Sequence, residues 1–172
     1  MSPFSTIYKS IRNILNVNVP IVAQVDMDYG QLRLYEGRAA LKFPCVLLDF
    51  PGWSFSNIGG LAQIGQGPVI VTIAFAAYSR TDSKATDSML DRGLEFLDIE
   101  QEVCEWLHGF APAQSMGYLI RQTATSANLP DGIRTRVITF ALELEDYSLA
   151  RVYTEGAKPP LETATQIAGS GG

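Results

Sequence analysis

The sequence predicts an α+β fold: a single, mostly antiparallel sheet with an N-terminal helix and one long helix packed on one face. Three observations predict it. Two stretches, residues 3–16 and about 86–108, carry apolar side chains at helical spacing. Several shorter apolar runs are bounded by glycine, proline or asparagine, as strands are. The order along the chain is helix, strands, glycine-rich loop, strand, long helix, two-strand hairpin, tail. With 172 residues, 47% hydrophobic and 18% charged, the chain has the size and composition of one globular domain with a sizeable core.

The first helix places Phe4, Ile7, Tyr8, Ile11, Ile14 and Leu15 on one stripe and Lys9, Arg12 and Asn13 on the other face. Ser2 before Pro3 reads as its N-cap, and Asn16 to Pro20 ends it. Ile21–Val25 is a candidate strand, broken by Asp26-Met27-Asp28-Tyr29-Gly30, and Leu32–Tyr35 reads as a short extended piece. Lys42–Phe50 is the better strand. Its continuous apolarity predicts burial on both faces and hence a central place in the sheet.

Residues 51–68 hold five glycines and two prolines with Trp53, Phe55, Ile58, Leu61 and Ile64 between them. They read as a long loop that either folds back over the core or offers its aromatic groups to a partner. Val69–Tyr78 is the strongest strand, with Val69, Val71, Ile73 and Phe75 on one face. After a polar connection, the long helix from about Thr86 to His108 has Leu90, Leu94, Leu97, Val103, Cys104 and Leu107 as its apolar stripe; Gly109 and Pro112 stop it. Tyr118–Thr125 and Ile133–Asp146 form a strand pair joined by the turn-rich residues 128–132, with Ile138, Phe140, Leu142 and Leu144 on one face. Residues 154–172 have no aromatic group, two adjacent prolines and a Gly-Ser-Gly-Gly end. The reading is therefore a domain over 1–153 and a flexible tail over 154–172.

Chemistry is hard to find. The formal net charge of −5, from 13 basic and 18 acidic side chains, argues against a nucleic-acid binder held by phosphate contacts. No apolar run approaches the roughly 18–20 residues of a membrane-spanning helix, and Met1-Ser2-Pro3-Phe4-Ser5 lacks the order of a secretion signal. Cys45 and Cys104 belong to no Cys-x-x-Cys pair, and the single histidine, His108, cannot complete a four-ligand zinc site. Both cysteines read as reduced core residues in a reducing compartment. The glycine motifs of nucleotide sites and the Gly-x-Ser-x-Gly elbow are missing; Gly65-Gln66-Gly67 precedes a strand rather than a helix and reads as loop glycines. His108, in the last turn of the long helix, suits a cap better than a general base, because no nucleophile or orienting carboxylate can be assigned to it. Asp26 and Asp28 read as a polar turn rather than a divalent-ion site. Glu143, Glu145 and Asp146 read as the solvated face of an edge strand. No catalytic, cofactor-binding or metal-binding residue is assigned, and no cofactor is expected.

One charge feature stands out. Residues 80–105 carry eight acidic side chains against three basic ones, a net −5 that equals the charge of the whole chain. Such a face is either merely solvated or one that repels the backbone of passing DNA.

The N-terminal helix, the Lys42-Phe43-Pro44-Cys45-Val46-Leu47-Leu48-Asp49 strand, the glycine-rich loop into Val69–Tyr78, the acidic helix and the closing hairpin through Arg134–Phe140 to Asp146-Tyr147-Ser148 resemble the tail terminator (tail-completion) proteins of long-tailed bacteriophages and prophages. The resemblance spans about residues 3–150. It implies a non-enzymatic virion protein at the tail–neck junction, assembled in the host cytoplasm. Such a protein forms a ring, expected to be a hexamer, that ends tail-tube growth and offers the docking face for the head connector or neck proteins. DNA passes through without specific binding, and no membrane is involved. A ring needs head-to-tail contacts that close. Trp53, Phe55, Leu61 and Ile64 are the candidate subunit or partner interface, because aromatic anchors dominate interface energetics; Asp91 and Glu95 are the candidate channel-facing acidic surface. Two alternatives stand beside this reading: a neck or head-completion protein of the same virion, and a small-molecule-binding or enzymatic domain with a pocket under residues 51–68. A polar cluster joining His108 to Asp26 or Asp28 would favour the last.

Overall fold

A computed structural model of the chain describes residues 2–33, 41–59, 62–76, 79, 81–129 and 132–147. The elements in chain order are α1 (Pro3–Asn18), β1 (Gln24–Met27), β2 (Cys45–Asp49), β3 (Ser54–Gly59), β4 (Ala62–Ala76), α2 (Asp87–Leu107), β5 (Ile120–Asn128) and β6 (Ile133–Asp146). The six strands form one sheet in the order β1-β2-β4-β6-β5, with β3 also paired to β4. Every pairing is antiparallel except the parallel β1–β2 pair. This is the α+β fold expected from the sequence, with both helices on one face. Of the extended piece expected over Leu32–Tyr35, Leu32 and Arg33 lie instead in a turn closed by the Arg33 amide on the Gly30 carbonyl at 2.9 Å; its other two residues, the tail and the domain boundary at residue 153 lie outside the described residues.

β4 organises the sheet. It pairs with β6 along almost its entire length, from Gln63↔Asp146 to Ala76↔Ile133. On its other side it pairs first with β3 and then with β2. Val71 thus lies between Leu48 and Ile138, and Ile73 between Val46 and Arg136. The alternation of β6 sends Ile138, Phe140, Leu142 and Leu144 into a core shared with Val69, Val71, Ile73 and Phe75. α1 contributes Ile7, Ile11 and Leu15, and α2 contributes Ile99, Val103, Cys104 and Leu107. β2 is buried on both faces, as its continuous apolarity predicts. Val46 and Leu48 join the main core, while Cys45 and Leu47 form a smaller cluster with Leu32, Ala74 and Ile133 on the other side.

Several expectations are corrected. Residues 51–68 are not a loop: β3 and the first part of β4 make a hairpin, and β4 starts at Ala62 rather than Val69. Gly65 and Gly67 are accordingly strand glycines, not loop glycines. A Cβ at Gly67 would stand 2.6 Å from the Trp53 ring, and one at Gly65 would stand 2.7 Å from Phe55. These glycines exist so that two aromatic rings can lie flat on the strand. β1 runs Gln24–Met27, so Asp26 and Met27 continue the strand that they were expected to break. β5 begins at Ile120 and reaches Asn128. Ser2 holds the N-cap position of α1 but makes no side-chain cap bond; its carbonyl accepts from the Thr6 amide at 3.3 Å. Glu143, Glu145 and Asp146 do not form one solvated face: Asp146 is buried, and β6 lies between β4 and β5 up to Ala141. The stop of α2 is as expected. Gly109 follows the helix with φ +81, a conformation that favours glycine.

Gly67→Ala is expected to lower stability by about 1–3 kcal/mol, the usual cost of overpacking, seen as a lower urea midpoint at unchanged m-value. Gly117→Ala is the control, because a Cβ there meets nothing within 4 Å.

Candidate assembly surfaces

The hairpin is anchored by aromatic packing within the subunit. Phe4 of α1 stands edge-on to Trp53 at a 4.9 Å centroid distance, and meets Phe50 at 5.6 Å and Phe55 at 6.4 Å. The Trp53 indole N–H donates to the Pro68 carbonyl at 3.1 Å. Trp53 is therefore half-buried against its own chain. Phe55 touches the same cluster with one face and is 42% exposed, while Ile58, one bulge further along, is 48% exposed. Ile64 is half-buried in β4 opposite Ser56 and Glu145. Leu61 lies outside the described residues. The structure thus places Trp53, Phe55 and Ile64 on one hairpin whose outer strand is exposed along its length, but on opposite faces: Trp53 and Phe55 lie on the helix side and Ile64 on the other.

α2 departs from the stripe expected for it. Ile99, Val103, Cys104 and Leu107 are buried, but Leu90, Leu94 and Leu97 are exposed, as is Met89. At 100° per residue, Leu90 lies on the opposite side of the helix from Ile99, and Cys104, about 40° from Leu90, marks the border between the exposed and the buried sides. That phase difference is legible in the sequence. The buried C-terminal half is fixed to the sheet by charge as well as by packing. Arg136 of β6 donates to both carboxylate oxygens of Glu100, at 2.6 and 2.9 Å, and to the Ser126 hydroxyl of β5 at 2.6 Å. The Glu100 bonds raise the Arg136 pKa further above its ordinary value. Arg134 lies over the Phe96 ring at 5.1 Å, and Phe96 meets Phe75 of β4. Asp91 and Glu95 are exposed on the outer face.

The groups that could support catalysis are separated. His108 ends α2; its Nδ1 accepts from the Arg121 amide of β5 at 3.2 Å, so the ring ties the helix end to the sheet rather than capping a carbonyl. Asp26 and Asp28 belong to the β1 end, at the other side of the sheet order. The Asp26 carboxylate accepts from the Met27 amide and the Gln24 side chain, and that of Asp28 from the Gly30 amide. Asp28 is turn-forming, as expected, whereas Asp26 lies within β1. Among the described residues no group of three metal-ligating side chains comes together, and no helix is long and apolar enough to cross a membrane. The cavity nearest the hairpin is an open groove of about 590 Å³ on the sheet face away from the helices, lined by Pro68, Tyr118, Ile120, Thr139 and Ala141 among others. It holds neither His108 nor Asp26 nor Asp28.

No family model matches the chain, and no curated protein does. A solved structure, described as the virion of a native gene transfer agent particle, contains a chain with the same fold. The match has a TM-score of 0.50 at 9% identity, and covers 83% of this chain and 97% of that one.

Both cysteines are buried and free. Burial pushes the Cys45 thiol from 9.0 up to about 12, and burial also raises Cys104. The native thiols stay protonated where unfolded ones ionise, so the folded chain binds more protons and stability falls as pH rises from 9 towards 12. Urea denaturation is expected to give a flat stability profile below about pH 8.5 and a decline above it. Cys45→Ala should lessen that decline, while Cys104 and Tyr8, also raised by burial, keep part of it.

Proposed function

We propose that this chain is a structural component of a phage-like virion, and that within it the chain acts as a tail terminator. The ring ends growth of the tail tube and presents the docking face for the head connector. The observation that carries the reading is the shared fold with a chain of a gene transfer agent virion, which spans nearly all of that chain. The agreement between the element order and that of tail terminators supports the finer role. The scattering of His108, Asp26 and Asp28 over different edges fits a protein that works through its surfaces.

In this reading copies close head to tail. Trp53, Phe55, Leu61 and Ile64 supply the subunit or partner contact, and Asp91 and Glu95 face the channel, where like charge keeps DNA from adhering. Purified protein is expected to form rings by negative-stain microscopy, alone and at the ends of tail tubes. Binding to connector rings but never to tube ends would point instead to a neck or head-completion protein. A protein that neither forms rings nor caps tubes would contradict both.

Trp53→Ala separates the two duties of that side chain. The assembly midpoint is expected to shift by the equivalent of about 2 kcal/mol or more, as at an interface hot spot, with a smaller loss in the subunit's own stability. Equal losses would make Trp53 a core residue only. Reversing the charge of Asp91 and Glu95 should slow DNA passage in an infectivity assay while rings still form; unchanged infectivity would remove these residues from the channel.

A further inference from the structure

We propose that copies of this chain join edge to edge, the outer edge of β3 in one copy pairing with the outer edge of β5 in the next. The leucine stripe of α2 is then set against the hairpin that carries Phe55 and Ile58. The proposal rests on the ring reading above and names the surfaces that would close it.

Among the described residues, three strands are paired on one side only: β1, β3 and β5. They are not alike. β1 is four residues long, and its last residue is occupied by side chains. The Met27 amide donates to Asp26 at 2.8 Å, and the Met27 carbonyl accepts from Gln31 at 2.7 Å. Such local bonds blunt an edge. β3 (Ser-Phe-Ser-Asn-Ile-Gly) has no charged residue, and β5 (Ile-Arg-Gln-Thr-Ala-Thr-Ser-Ala-Asn) has only Arg121; neither contains proline. Their irregularities and side-chain bonds fall at one end, the Gly59 amide on Asn57 in β3 and the Arg121 amide on His108 in β5, leaving Ser54–Asn57 and Thr123–Asn128 regular. Lysine, proline and central bulges are the devices that keep edges apart, and these two strands lack them.

The two open edges lie on opposite sides of the same sheet, and their directions agree with joining. β3 and β6 are each antiparallel to β4, and β5 is antiparallel to β6. β3 and β5 therefore run in opposite directions, so a copy rotated about an axis near the strand direction brings its β3 antiparallel to β5. The alternation continues across the junction with the helices kept on one side. β3 lies beside the start of β4 and β5 beside the part of β6 that faces its end, so successive copies meet with a stagger. Tilted strands accommodate such a stagger in closed sheets.

Side chains on the helix side are complementary as well. Leu90, Leu94 and Leu97 share a helical stripe with Gln101, Cys104 and His108, which line a cleft with Arg121 of β5. The exposed leucines therefore border the β5 edge. Phe55 borders the β3 edge, and α1, which packs beside it through Phe4, carries Lys9 and Arg12 with no acidic residue. The acidic outer face of α2 would meet that basic helix of the next copy, so apolar contact and charge both favour a second copy as the occupant.

The test is disulfide trapping in the full chain. Ser56 pairs with Ile64 on the sheet face away from the helices, and Thr123, Thr125 and Ala127 share that face on β5. Ser56→Cys is combined with Thr123→Cys, Thr125→Cys or Ala127→Cys; the native cysteines stay buried. A disulfide requires Cα atoms about 4.4–6.8 Å apart, so one register reacts. Mild oxidation is expected to give a ladder of covalent multimers from one of the three double variants and none from the single variants. Rings that form with no ladder from any double variant would overturn the edge assignment while sparing the ring. Absence of both rings and ladders would overturn the ring reading and this assignment with it. Leu94→Asp, at an exposed site, should abolish association with the subunit's thermal midpoint unchanged; intact rings would remove the leucine stripe from the contact.

Discussion

The structure depends on the pairing of β4 with β6. These two long strands share a ladder from Gln63 to Ala76, and everything else is attached to it. Every second residue along the ladder contributes to the main core, from Leu144 at one end to Phe75 at the other. The same ladder sets the limits of the neighbours. On one side β4 has room for β3 and then β2; on the other, β5 covers β6 only as far as Ala141. Among the described residues the sheet stays open, with β1, β3 and β5 at its margins.

The distribution of apolar side chains follows from that constraint. Both helices cover one face, and α2 is secured chiefly from Phe96 onward, where Phe96 meets Phe75, Glu100 meets Arg136 and His108 meets the Arg121 amide. Toward its N-terminus α2 leaves Leu90, Leu94 and Leu97 exposed. The hairpin is held by Phe4 on Trp53, yet leaves Phe55 and Ile58 outside. Burial within the subunit is nearly complete for the ladder and incomplete at both lateral margins. Exposed apolar groups at opposite margins are what a head-to-tail contact uses.

Much of this was legible in the sequence because the signals were local. Ile138, Phe140, Leu142 and Leu144 alternate without interruption, and the continuous run from Cys45 to Leu48 announces a strand buried on both faces. α1 is read from its period alone. The hairpin was hidden because its glycines look like loop punctuation until Trp53 and Phe55 are seen resting on them. Propensity speaks against glycine in a strand, and tertiary packing overrode it. The leucines of α2 are a different case: they continue the side of the helix that carries Cys104, while burial is centred on the neighbouring side with Ile99, Val103 and Leu107. The open edges of β3 and β5 could not be read at all, since strand order depends on long-range pairing.

The central claim is that the chain functions by meeting copies of itself. Sedimentation equilibrium of the full chain over a wide concentration range tests it most directly. The account predicts one closed species whose mass is a fixed multiple of 18.8 kDa and which stops growing as concentration rises. A single 18.8 kDa species at every concentration would contradict it.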